Sequence, residues 1–395
     1  MNKDELGLVM TSAALRLLDS LPEYSDSTDI VKTVAALRRD GHPADLVSAV
    51  LTQSRLRAKA TGKFGEFASR MLFTEAGLEQ ATRLRVAALH AGRYQAAGIR
   101  SVADLGCGIG ADALAFAALD LEVQAVDVDE VTAAVASYNL APFTNVAVSL
   151  GDAVDHDLAG VDSVYMDPAR RTSGHTDTRR LPDPRDYSPS LDFAFGVART
   201  VPTGIKLGPG FDRELIPDEA EAQWISVDGQ LVENSLWFGP LARAGIKRSA
   251  LVLRGGHSAE LVAAGDSVDA DVAELGTYLY EPDGSVIRAR LIGDLARELD
   301  ARMLSEQIAY LTSDTLVSSP FVSAFRVVDT LPSDESKLKK ELRRRGIGRL
   351  EIKKRGVDID PAVLRRRLSL SGDAEATLVM TRVGGRHTAI LAERV

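Results

Sequence analysis

The chain has 395 residues, 45% of them hydrophobic and 26% charged, which is enough for a buried core and for two or three domains. No apolar run reaches the roughly 18 to 20 residues that span a bilayer, and the first twenty residues mix charges into a helical pattern without a secretory hydrophobic region, so no membrane partner and a cytoplasmic location are expected. Cys107 is the only cysteine and the six histidines show no ligand spacing, which excludes intrachain disulfides and multi-cysteine zinc sites and leaves no metal expected.

A net charge of −9 argues against a general polyanion binder, but the charge is unevenly spread. Residues 337–367 hold thirteen Lys or Arg against four Asp or Glu, a local +9 that leaves −18 for the remainder.

In chain order, residues 3 to about 60 place apolar side chains three and four apart (Leu6, Val9, Met10, Ala13, Leu17; Ile30, Val34, Leu37; Leu46, Val50). This spacing predicts three amphipathic helices. An irregular aromatic stretch and one long helix complete an N-terminal helical region, residues 1–95. From Arg100 short β-branched runs (SVADLG, EVQAVDV, NVAVSL, DSVYMD, TGIKLG) alternate with helical stretches, the pattern of a parallel sheet with covering helices over residues 96–256. Asp228-Gly229 between two alternating runs predicts an antiparallel hairpin, hence antiparallel edge strands. A boundary is expected near Gly255-Gly256. Residues 257–395 then read as an α+β module with strands at GTYLYEP, SVIRARL, FRVVDT, RLEIKKRG, ATLVMTRV and TAILAERV, and helices around 293–311, 334–345 and 361–367.

The chemistry begins at SVADLGCGIGADALA, residues 101–115. Gly106, Gly108 and Gly110 lie where a strand ends and a helix begins, letting the backbone turn tightly and approach a ligand. Asp127 ends the next strand, placed to accept from ribose hydroxyls, and Asp152 follows the third, placed to accept from an adenine amino group. Val128 and Ala153, next to them, join the candidate set. Three acids at three consecutive strand ends suit one nucleoside. Gly106, Gly108 and Ala111 also satisfy a loose dinucleotide pattern, and a plain tight turn is a further reading. Asp104 disfavours the dinucleotide: it would repel a pyrophosphate but suits the ammonium and sulfonium of S-adenosylmethionine.

These residues resemble a class I S-adenosylmethionine-dependent methyltransferase over about residues 60–255, which implies a Rossmann-like α/β sheet, mostly parallel with antiparallel edge strands, and S-adenosylmethionine as cofactor. RMLFTEAGLEQATR, containing Thr74, resembles the segment ahead of the cofactor loop in trimethylguanosine synthase-like RNA methyltransferases, where it folds over the cofactor. This makes Thr74 a further cofactor candidate. The layout is similar to the bacterial group in which such a domain precedes a THUMP-like module, an appendage taken to bind RNA.

Methyl transfer from a sulfonium chiefly requires that the nucleophile be held in line. Methylases acting on base amines use [DNS]-P-P-aromatic after the fourth strand, and Asp167-Pro168 fits the first half, offering a carboxylate and a carbonyl as acceptors. Ala169 and Arg170 depart from it, because the second proline and the stacking aromatic are missing. Arg170 and Arg171 open a polar stretch to Pro189 and are candidate substrate contacts, as is Lys206 at the end of the fifth strand. The basic segment 337–367 is a candidate footprint for RNA phosphates, with a solvated helix face as the alternative. The leading expectation is an RNA methyltransferase acting on a base nitrogen. The alternatives are a small-molecule methyltransferase and a non-catalytic RNA-binding protein on the same fold.

Overall fold

The computed structural model describes all residues except 23–26 and 171–186. The chain divides into two compact units, Met1–Leu207 with Trp237–Ala242, and Gly208–Leu236 with Arg243–Val395.

The first unit opens with helices α1 (Lys3–Val9), α2 (Ser12–Ser20), α3 (Ser27–Arg39) and α4 (Ala44–Phe64). The first expected helix is two, because Thr11 takes an extended backbone and its hydroxyl accepts from the Ala14 amide, starting a new helix inside the apolar repeat. After a 3₁₀ turn at Gly65–Arg70 come α5 (Glu75–Gln80) and α6 (Leu84–Ala96) in place of one long helix. The break is held from outside: Lys63 Nζ donates to the carbonyls of Leu78, Glu79 and Ala81 at 2.8, 2.7 and 2.8 Å, taking acceptors that a continuing helix would use.

Next come β1 (Ser101–Leu105), α7 (Ala111–Ala118), β2 (Glu122–Asp127), α8 (Glu130–Leu140), β3 (Val146–Leu150), β4 (Ser163–Met166), the short pair β5 (Ala169–Arg170) and β6 (Tyr187–Ser188), α9 (Leu191–Ala198) and β7 (Thr203–Leu207). The five long strands are parallel in the order β3-β2-β1-β4-β7. This is a Rossmann-like sheet whose order reverses between β1 and β4, the place where such sheets bind ligands at their carboxyl ends. Beneath it Tyr94, Phe116, Tyr165 and Trp237 meet edge to face with ring centroids 4.9 to 6.4 Å apart.

In the second unit β8 (Glu221–Val227) and β9 (Gln230–Trp237) form the expected hairpin, with Asp228 and Gly229 at φ 49° and 80°. β10 (Arg248–Arg254) runs parallel to β8, since the ten-residue connection from β9 lets it return in the same direction. β10 then pairs antiparallel with β11 (His257–Ala263). Gly255 and Gly256, at φ 53° and 89°, are therefore a hairpin turn, and the expected linker position lies inside continuous pairing.

Further on lie β12 (Tyr278–Pro282), α10 (Gly284–Arg288), α11 (Ile292–Glu298), β13 (Arg302–Ser305), β14 (Ile308–Ser313), β15 (Val322–Leu331), α12 (Glu335–Arg344), β16 (Ile347–Lys354), α13 (Pro361–Leu368), β17 (Ala374–Val383) and β18 (Arg386–Arg394). Their sheet runs β13-β14-β12-β15-β18-β17-β16, antiparallel except for β16 with β17. Two expectations are corrected. SVIRARL is the helix α10, because the Asp283 carboxylate accepts from the Ser285 amide and caps it. The helix around 293–311 stops at Glu298, and Asp300 and Gln307 take positive φ where β13 begins and where it turns into β14. Leu338, Leu342, Leu364 and Leu368 of α12 and α13 close a core over β16 and β17. Among the described residues no helix is long and apolar enough to cross a membrane, and no group of His, Cys, Asp and Glu is placed to hold a metal ion.

Candidate cofactor and acceptor site

All of the site described here belongs to the first unit. Leaving β1, the chain folds back so that the amides of Gly106 and Cys107 both donate to the Val126 carbonyl, at 2.8 and 2.9 Å. Gly108 (φ 56°) has open space where a side chain would stand, and its amide donates to Asp127 Oδ2 at 3.0 Å. Gly110 (φ 84°) opens α7, and a Cβ there would meet Leu140 at 2.9 Å. The loop thus needs glycine at Gly108 for backbone conformation and at Gly110 for both conformation and packing.

Behind it lies a cavity of about 380 Å³, within the range of small-molecule sites. Thr74, Asp104, Gly106, Gly108, Asp127, Val128, Asp152, Ala153 and Asp167 all line it, nine of the residues the sequence singled out. Gly110 shapes the loop without lining the cavity, and Pro168 is buried beside Asp167. Arg171 and the Arg170 side chain lie outside the described residues.

Each carboxylate has a distinct setting. Asp127 accepts from Gly108 and, through Oδ1, from the Asp129 amide at 2.9 Å, so each oxygen keeps a lone pair for the cavity. Burial raises its pKa above the ordinary carboxylate value. Asp152 Oδ1 accepts from the Val154 amide at 3.0 Å. Thr74 caps α5, its hydroxyl accepting from Gly77 at 2.9 Å, which fixes the segment that covers the glycine loop. Val128 is 67% exposed, a large apolar side chain on the cavity wall.

Asp104 is 1% exposed, and among the described residues its Oδ2 has no hydrogen-bond partner. Burial, reinforced by the nearby charges of Asp112 and Asp167, pushes its pKa well above the ordinary value. A buried orphaned acceptor on a cavity wall suits a ligand that brings a cationic donor. The cavity therefore fits an adenosyl group with a charged amino-acid tail.

Asp167 sits at the far wall with Oδ2 2.5 Å from Lys206 Nζ. Lys206 is 8% exposed, and its ammonium also donates to Thr82 Oγ1 at 3.1 Å and the Gln80 carbonyl at 3.4 Å. Thr82 in turn donates to Asp112 Oδ2 at 2.6 Å. Asp112 Oδ1 lies 2.9 Å from His90 Nδ1, and that nitrogen is 3.1 Å from Tyr165 Oη. Burial alone would raise the Asp112 pKa, but the bonds and charges from His90, Lys206 and Thr82 outweigh it and hold the carboxyl below the ordinary value. Sequence reasoning missed Thr82, His90, Asp112 and Tyr165. The legible signal was Asp112 inside the otherwise apolar helix α7, which buried pairing explains.

A family model described as THUMP domain-like matches residues 322–394, and one described as a domain of unknown function matches residues 5–60. A crystal structure of a proposed methyltransferase from Porphyromonas gingivalis W83 superposes with a TM-score of 0.74 at 20% identity, covering 100% of this chain and 99% of that one. Proteins of two Mycobacterium tuberculosis strains, both described as uncharacterized S-adenosylmethionine-dependent methyltransferases, are 36% identical over 337 residues, covering 83% of this chain and 91% of theirs. With that likeness the choice between a dinucleotide and a sulfonium cofactor closes, and the chain belongs to the S-adenosylmethionine-dependent methyltransferase family.

Proposed function

We propose that this enzyme methylates RNA, on a nitrogen of a base, in the cytoplasm. The carrying observation is the carboxylate of Asp167, held by Lys206 on the wall of the cavity that Asp104, Asp127 and Asp152 also line. When bound, S-adenosylmethionine supplies a methyl group activated by its sulfonium. In this reading Asp104 holds its ammonium, Asp127 the ribose hydroxyls, and Asp152 with Val128 and Ala153 the adenine, while Thr74 and the glycine backbone complete the cradle. Asp167 accepts a hydrogen bond from the acceptor amine, aided by the Pro168 carbonyl, and so aims the nitrogen lone pair. Lys206 orients Asp167, a positioning role in place of a direct substrate contact.

The functional division we propose is a helical region, 1–95, a methyl-transfer segment, 96–256, and an RNA-holding module, 257–395. The likeness of residues 322–394 to THUMP domains and the +9 segment support RNA as the partner. Arg170 and Arg171 are kept as proposed substrate contacts.

The test is transfer of labelled methyl groups into total RNA from a strain lacking the protein, with mass spectrometry of the modified nucleosides. One nucleoside should gain the label, and Asp167→Ala should remove it. Label appearing in a small-molecule fraction, or undiminished transfer by Asp167→Ala, defeats the RNA reading or the acceptor assignment respectively.

A further inference from the structure

Within the basic segment, at least six of the thirteen cations of residues 337–367 are engaged inside their own module. Lys339 and Arg343 donate to the carbonyls of Arg367 and Ser369. Arg344 pairs with Glu341, Arg345 with Asp329, Arg349 with Glu375 and Arg367 with Glu335. The Lys339, Arg343 and Arg367 contacts join α12 to α13, and Arg345 ties the end of α12 to β15.

The end of β16 in the same segment offers a site of its own. A cleft of about 640 Å³ is lined by Lys353 and Arg355 at the end of β16, Arg254 at the end of β10 and Arg394 at the end of β18. The cations are preorganised on aromatic faces: Lys353 Nζ and the Arg394 guanidinium lie 5.6 and 5.0 Å from the Phe325 ring centre, and the Arg355 guanidinium 5.3 Å from that of Tyr310. The acids of the cleft are engaged. Glu281 pairs with Lys353 at 2.7 Å, Asp283 caps α10 with Arg254 3.9 Å away, Asp228 accepts from the Gly255 amide, and Glu351 lies 3.3 Å from Arg394 and 3.4 Å from Lys353, leaving Arg394 further donors. Among the described residues Arg355 has no carboxylate within 4.0 Å, and its buried Nε has no hydrogen-bond partner.

An arginine stacked on a ring keeps its planar donor edge available, and the matching ligand is a phosphate, which takes two parallel N–H bonds. We infer that this cleft, with Arg355 and Arg394 as donors, binds a backbone phosphate of the RNA, and that the exposed face of α12 does not. The inference rests on the RNA reading above.

The test uses the full chain and anisotropy of a fluorescein-labelled RNA hairpin over a range of KCl concentrations. Arg355→Gln and Arg394→Gln should each weaken binding about 5- to 20-fold and lower the salt slope by about 1, while Lys337→Gln with Lys340→Gln on α12 changes affinity less than about 2-fold. Arg394, 55% exposed, keeps the test decisive if Arg355→Gln does not fold. A wild-type protein that leaves the hairpin unbound overturns the RNA reading and this inference with it. Hairpin binding unchanged by both cleft variants and lost in the α12 variant overturns the cleft alone. Broadening of the phosphorus resonance of inorganic phosphate that Arg355→Gln abolishes, with hairpin affinity unchanged, identifies free phosphate as the ligand and also overturns it.

Discussion

At the scale of single residues the proposed ammonium contact, Asp104, is the most perturbed carboxylate of the cavity. Its folded pKa is raised, so between the ordinary carboxylate value of about 4 and that higher value the native protein holds a proton that the unfolded chain has lost. Stability of the ligand-free protein therefore falls as pH rises through this window. A bound ammonium favours the ionised carboxylate, so cofactor binding should release a proton, seen in calorimetry as a binding enthalpy that changes with the ionisation enthalpy of the buffer. Asp104→Asn should abolish the release and weaken binding by about 2–5 kcal/mol, the cost of leaving one member of a buried charge pair unmatched. A buffer-independent enthalpy for the wild type would contradict the assignment. Lys206 lowers the Asp104 pKa by its charge as well as holding Asp167. Lys206→Met should thus cut kcat about 10- to 100-fold with cofactor affinity at high pH little altered, and move the pH dependence of cofactor binding upward. A purely structural lysine would leave that profile in place. Asp104, Asp127 and Asp152 were legible because strand-end acids keep a fixed relation to a parallel sheet. The Lys206–Thr82–Asp112–His90 chain was not, since its members come from three separate elements and a connecting loop and no periodicity relates them.

At the scale of elements the first unit depends on a close approach under its sheet. Gly204 on β7 receives its place from Tyr94, whose hydroxyl accepts from the Gly204 amide at 2.9 Å and donates to the Val164 carbonyl at 2.7 Å. A Cβ on Gly204 would stand 2.6 Å from Tyr94 Oη and 2.7 Å from the Trp237 ring. Gly204→Ala should cost about 1–3 kcal/mol in urea unfolding, the scale of overpacking a tight core. Gly62→Ala, in the exposed interior of α4 with nothing within 4 Å, should instead stabilise by about 0.5–1 kcal/mol. Equal effects would mean that the Tyr94 bridge relaxes freely. The parallel strands were legible from their β-branched runs. SVIRARL was misread because it carries the composition of a strand, and what decides it is the Asp283 cap just before it. Likewise, hydrophobic spacing made 293–311 look continuous, while positive φ at Asp300 and Gln307 divides it.

At the scale of the whole molecule the acid-lined cavity and the cation-lined cleft fall in different compact units. The acids around the cofactor cavity lie in the first, and the cleft of Arg254, Lys353, Arg355 and Arg394 lies in the second. Net charge alone gave no hint of a nucleic-acid partner, and the local +9 overstated one, because pairing within the module hides much of it. If the two sites contribute separate binding energies, each should be removable alone. Asp127 accepts from Gly108 and Asp129 on one side and faces the cavity on the other, so Asp127→Ala removes the proposed ribose contact together with a loop anchor. Calorimetry should show cofactor affinity reduced by at least about 2 kcal/mol, as for other lost charge-assisted bonds, while hairpin retention at fixed salt stays within about 2-fold. Arg394→Gln should give the converse. In double-variant form the two losses should add within about 0.5 kcal/mol, since no partner is shared. A loss of hairpin binding on Asp127→Ala would instead mean that the cofactor site organises the RNA site, and the two functions would then have to be treated as one coupled equilibrium.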